Sequence, residues 1–151
     1  MDGAFDPNAD RKAWLSVLAR ADSAMVQALW DGTGLAPTHD ILRAPEIGAV
    51  MVRGRAGAVG APFNLGEMTF TRASVRLESG LVGHGFVQGR CKDHARIAAL
   101  VDALMQTDQA AQIEAAVIAH LRKAATARAG ARAARAAATK VDFFTVARGE
   151  D

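Results

Sequence analysis

The sequence predicts an α+β fold in a single domain of 151 residues. N-terminal helices lead into a four-stranded antiparallel meander, then a helix packed on that sheet, then a long Ala-rich C-terminal helical segment. Three observations carry this reading. Between Met68 and Val87, β-branched and aromatic residues fall into two runs separated by Ser79-Gly80, as in a tight hairpin. After Gly89 the apolar period changes from two to 3.6, with Ile97, Leu100, Val101, Leu104 and Met105 on one helix face. From Gln109 to Lys140, 15 of 32 residues are Ala, which favours helix over any other local structure.

Asp6-Pro7-Asn8 reads as the start of a helix over about 9–20 that turns Trp14, Leu15, Val17 and Leu18 toward a core. Asp22 caps a second helix with Met25, Val26, Leu29 and Trp30 on its apolar face, ended by Gly32-Thr33-Gly34 near residue 32. Both tryptophans read as packing residues, not base-stacking platforms, because no basic groove surrounds them. The sheet then spans about residues 38–89. Ile41-Leu42 form a short strand, Pro45-Glu46 a turn, and Ala49 to Val52 the next strand. Gly54 to Gly60 lacks the Lys-Ser/Thr pair and the following helix of a phosphate loop, so it reads as a strand connection. Along Met68 to Leu77 the apolar positions pass from even to odd, which predicts a bulge near Thr71 to Ala73 that re-aims Arg72.

Helices occupy about residues 93–140. Asp93 is the expected N-cap of the first, and Ile113, Val117, Ile118 and Leu121 form the apolar side of the next, with Gly130 as a point of division. The tail, residues 141–151, holds Phe143, Phe144 and Val146, apolar side chains expected to dock on a sheet edge or on another subunit.

Eighteen basic and sixteen acidic side chains give a net charge of only +2, which argues against a nucleic-acid-binding surface. One Cys allows no internal disulfide, and the polar start lacks a signal peptide, so a cytoplasmic protein is expected. No window reaches the roughly 20 apolar residues of a membrane span. Nucleophile elbows, CxxC pairs and HExxH motifs are all missing, so no self-contained active site is expected. His84, Cys91 and His94 are too few and too generically spaced for a metal centre. What remains is cationic. Arg90, Lys92 and His94 bracket a helix N-terminus, where free NH groups favour an anion or a partner's acidic groups, and Arg72 and Arg76 on one strand face add to the set.

The segments TFTRASVRL, GFVQGRCKDHARIAALVDALMQ and VDFFTVARGED together resemble the G subunit of the bacterial carbon-phosphorus lyase core complex, the PhnG family, and the likeness runs from about Trp14 onward. That family usually reads QGRDK where this chain has Gln88-Gly89-Arg90-Cys91-Lys92, so a role of the acid would not carry over to Cys91. The resemblance implies an accessory subunit that acts with the H, I and J subunits, and with the L protein in a transfer step, in two copies per assembly. In that step a phosphonate displaces adenine from a nucleoside triphosphate. ATP and phosphonate would then be substrates of the complex, with no cofactor bound by this chain. A stand-alone anion-binding or nucleic-acid-binding module using the basic helix is the alternative.

Overall fold

The computed structural model describes residues 8–57 and 59–141, and the expected docking residues Phe143, Phe144 and Val146 lie outside them. Helices α1 (Ala9–Ala19) and α2 (Ser23–Thr33) precede strands β1 (His39–Arg55), β2 (Pro62–Leu77) and β3 (Val82–Gln88). Helix α3 (Lys92–Leu104) follows, then α4 (Ala110–Ile113), a π-helical turn over Glu114–Ile118, and α5 (Ala119–Ala138). The α+β class holds, but the described sheet has three strands in the order β1-β2-β3, all antiparallel, where four were expected.

The difference lies at Pro45-Glu46, which is no turn. The two short strands expected around it are one edge strand, β1, whose extra residues are absorbed by register shifts between Ile41 and Arg43 and between Arg43 and Glu46. An edge strand tolerates proline because one row of its NH groups has no ladder partner to lose. Those shifts also correct the bulge expected at Thr71 to Ala73: β2 pairs with β3 without interruption from Phe70 to Arg76, and the irregularity sits opposite, in β1. The parity change in β2 arises because both of its faces are apolar. Thr71, Ala73, Val75 and Leu77 are buried on one face, while Phe70 on the other stacks on Phe86 with ring centroids 4.3 Å apart. Four residues, Glu78 to Leu81, join β2 to β3 rather than two, closed by Leu77 N donating to Leu81 O (2.9 Å), with Gly80 at φ +86.

Helix α3 is the centre of the molecule. Ten of its side chains are buried, among them Ile97, Leu100, Val101 and Leu104 on the face that the sequence predicts. One side meets the sheet and the other meets α1 and α2. The sheet contact is unusually close because β3 presents glycine to a row of alanines. A Cβ on Gly83 would lie 1.9 Å from Ala99 O, and one on Gly85 would lie 2.0 Å from Ala95 O. The helix starts earlier than expected: Cys91, not Asp93, is the N-cap, its Sγ accepting from His94 N at 3.5 Å. Gly89 at φ +92 turns the chain there, and Thr71 Oγ1 donates to its carbonyl across 2.7 Å, fixing where β3 ends.

Ile113, Val117, Ile118 and Leu121 are all buried, as the apolar spacing requires. Gly130 does not divide the last helix, since α5 continues through it. The break in the α pattern comes earlier, at the π turn.

Candidate functional site

Beyond Phe70 strand β2 has no partner but β1, because β3 pairs only with Phe70 to Arg76. Residues Gly48–Arg55 and Pro62–Thr69 therefore form a two-stranded arm, about eight residues or 26 Å long at 3.3 Å per residue. None of its described side chains is buried. Register and pleat place Val50, Val52, Phe63, Leu65, Met68 and Phe70 on one face, the face turned away from α3. Gly48 and Gly54 leave space on that face. The Phe70 ring lies over Gly48, and Leu65 and Phe63 flank Gly54. Leu65 is 67% exposed, Met51 52% and Phe63 45%, so the arm holds large apolar area in water. A two-stranded ribbon is marginal by itself, and contiguous exposed apolar surface of this kind marks an interaction site.

Phe86, half exposed, extends this face toward α1. A groove of about 470 Å³, almost wholly apolar, lies between Leu15, Ser16 and Ala19 of α1 and His84 and Phe86 of β3. Below it sits a buried carboxylate. Asp102 accepts from Arg11 Nε (3.1 Å) and Nη2 (2.7 Å), from the Trp14 indole (2.9 Å) and from His84 N (2.8 Å). Asp102 in turn raises the pKa of Arg11, by hydrogen bonding foremost. This hub ties α1 to α3 and β3, and sequence reasoning missed it. The available signal was a lone Asp inside the apolar run Leu100-Val101-Asp102-Ala103-Leu104, since a buried charge requires a partner.

The five residues expected to gather around an anion do not form one cluster. Arg72 and Arg76 lie on the outer face of β2 and are paired, Arg72 with Glu46 and Arg76 with Asp40 (2.9 Å). Arg43 and Arg72 together hold the Glu46 carboxyl below its usual range. His94 is buried, not part of a cationic surface: its Nε2 contacts Leu18 O at 2.9 Å, and burial lowers its pKa despite that bond and the nearby charge of Asp22. The physical reason is helical phase, because His94 opens the inward row continued by Ile97, Ala98 and Val101. Arg90 and Lys92 remain exposed at the start of α3, and neither has a hydrogen-bond or ion-pair partner among the described residues. Also among the described residues, no group of three His, Cys, Asp or Glu side chains is placed to hold a metal ion.

A second cationic place does form. Arg20, Arg128 and Arg132 line a polar depression of about 420 Å³ with Gln88 and Thr126.

Comparison with known proteins adds a lineage. The family model described as "Phosphonate metabolism protein PhnG" matches residues 9–149. The α-D-ribose 1-methylphosphonate 5-triphosphate synthase subunit PhnG of Rhizobium meliloti (strain 1021) is 46% identical over 148 residues, covering 95% of this chain and 92% of the other. This chain belongs to the PhnG family of phosphonate metabolism proteins.

Proposed function

We propose that the chain is an accessory subunit of an α-D-ribose 1-methylphosphonate 5-triphosphate synthase and serves the breakdown of organic phosphonates. The observation that carries this is the likeness to the Rhizobium meliloti subunit through nearly the whole of both chains. The reaction is a displacement at the anomeric carbon of a nucleoside triphosphate: the bond to adenine breaks, a bond to a phosphonate oxygen forms, and adenine leaves. ATP and phosphonate are substrates of the assembly, and this chain brings no cofactor of its own. Its partners are the H, I and J subunits, with the L protein in the transfer step, and the assembly holds two copies in the cytoplasm. No described helix is long and apolar enough to cross a membrane.

Within that assembly the chain's part is to dock and to support. The apolar face of the arm supports this role, since it leaves large apolar side chains such as Leu65 and Phe63 exposed and lies clear of the core. The expected tail residues Phe143, Phe144 and Val146 are a second docking element. Arg90 and Lys92 serve a partner's acidic groups or a phosphate-bearing ligand.

The test is adenine release from ATP plus methylphosphonate, measured for the purified chain alone, for the reconstituted complex, and for the complex lacking this chain. Release is expected only from the full complex. Turnover by the chain alone, in proportion to its concentration, would overturn the reading. So would full activity without it.

A further inference from the structure

We infer that the depression formed by the end of α1, the end of β3 and α5 is a binding site for a polyphosphate chain such as that of a nucleoside triphosphate. Its lining contains three guanidinium groups, those of Arg20, Arg128 and Arg132, with the Gln88 amide, and no carboxylate. Its volume of about 420 Å³ falls within the range of small-molecule sites. Donors far outnumber acceptors there, which suits an anion with many oxygens.

Two of the three arginines are already held in place. Arg20 donates from Nε to Ser16 O (3.2 Å) and from Nη2 to Ser16 Oγ (2.7 Å), leaving other NH groups open. Arg128 Nη2 donates to Arg20 O at 3.3 Å, which draws α5 against the end of α1. Arg132, one turn beyond Arg128, has no partner among the described residues. Like charges four residues apart on a helix repel, and the acid nearest them along the helix, Glu114, is bound to Arg122 at 2.6 Å. Among the described residues none of the three arginines has an ion-pair partner. Guanidinium forks match phosphate oxygens in pairs, and several convergent positive charges favour a chain of phosphates over a single carboxylate. The inference deepens the proposed function and rests on it for the choice of a nucleoside triphosphate, while the charge arrangement it uses does not depend on that reading.

The test is isothermal titration of the full chain with inorganic tripolyphosphate at low salt. One site per chain is expected. Arg132→Gln should weaken binding at least about tenfold, and Arg128→Gln/Arg132→Gln more, because each removes charge-assisted hydrogen bonds. Arg53→Gln/Arg55→Gln, on the arm, removes the same charge elsewhere and should change binding less than about twofold. Unsaturable binding, or equal loss in the arm variant, overturns the site by showing only a diffuse field. Tighter binding of a short DNA duplex than of tripolyphosphate overturns it as well. In the assembled complex, Arg128→Gln/Arg132→Gln should co-purify normally with its partners and raise the KM for ATP. Loss of co-purification would make the depression a subunit contact, which sinks this inference and leaves the proposed function standing.

Discussion

The Arg11 guanidinium grips the Asp102 carboxylate with two of its nitrogens across 91 positions of sequence. Asp102 is fully buried while the Arg11 side chain is 31% exposed, so the pair is a carboxylate in the core reached by a cation from the surface. Removing one partner of such a pair leaves a buried charge or orphaned donors, at a cost of about 3–5 kcal/mol. Asp102→Ala should lower unfolding stability by that amount, read from urea denaturation. Trp14→Phe removes the indole donor along with part of the ring packed against the core, and should cost at least about 1.5–3 kcal/mol. An Asp102→Ala loss below about 1 kcal/mol would show that the hub contributes little to holding α1 in place.

Gly85 is a strict position, because its missing Cβ is what lets β3 meet the backbone of α3 at Ala95. Gly85→Ala should destabilise by about 1–3 kcal/mol or more, the usual cost of overpacking. The same change at Gly66, where a Cβ meets nothing within 4 Å, should be mild by comparison. Thermal unfolding of the two variants side by side checks the contrast.

His94 makes stability depend on pH. Its pKa is lowered in the fold, by burial foremost, so the unfolded chain takes up the proton first as pH falls. The stability that the neutral ring supplies is whole above the ordinary histidine pKa of about 6.5 and drains away as pH falls below it. His94→Gln keeps a donor for Leu18 O but does not titrate. Unfolding midpoints between about pH 7 and 5 should fall less steeply for the variant than for the parent, and an unchanged slope would sink the assignment.

The arm should matter to assembly and not to the fold. Leu65→Ser and Phe63→Ser alter exposed side chains, so the isolated chain should keep its stability within about 0.5 kcal/mol. If partners bury these side chains, each loss forfeits roughly 1.5–3 kcal/mol of apolar burial, and the double variant should lose co-purification. Normal assembly of that double variant would free the arm of this role.

Much of this architecture was legible in the sequence, and the failures have physical causes. The apolar rows of α2 and α3 and the buried set Ile113, Val117, Ile118 and Leu121 follow from helical spacing, because one face of each helix lies in the core. Pro45 suggested a turn, since propensity says nothing about whether a strand will lie at an edge where proline costs no hydrogen bond. Proximity in sequence groups His94 with Arg90 and Lys92, although helical phase turns it into the core. Arg20, Arg128 and Arg132 were invisible as a group because no local pattern links the end of the first helix to the middle of the last. Gly83 and Gly85 carried a readable signal, alternating with His84 and Phe86 opposite a helix of alanines.

The π turn over Glu114–Ile118 also bears on where every later side chain points. A π turn holds about one residue more than an α turn, so it absorbs one residue of sequence without changing the phase of the twenty residues of α5. Deleting Ala115 would restore ordinary α geometry and leave Arg128 and Arg132 beside Arg20. Deleting Ala124 from the ordinary helix beyond it would instead rotate everything after it by about 100°, at 3.6 residues per turn, and swing both arginines off the depression without any change in their own identity.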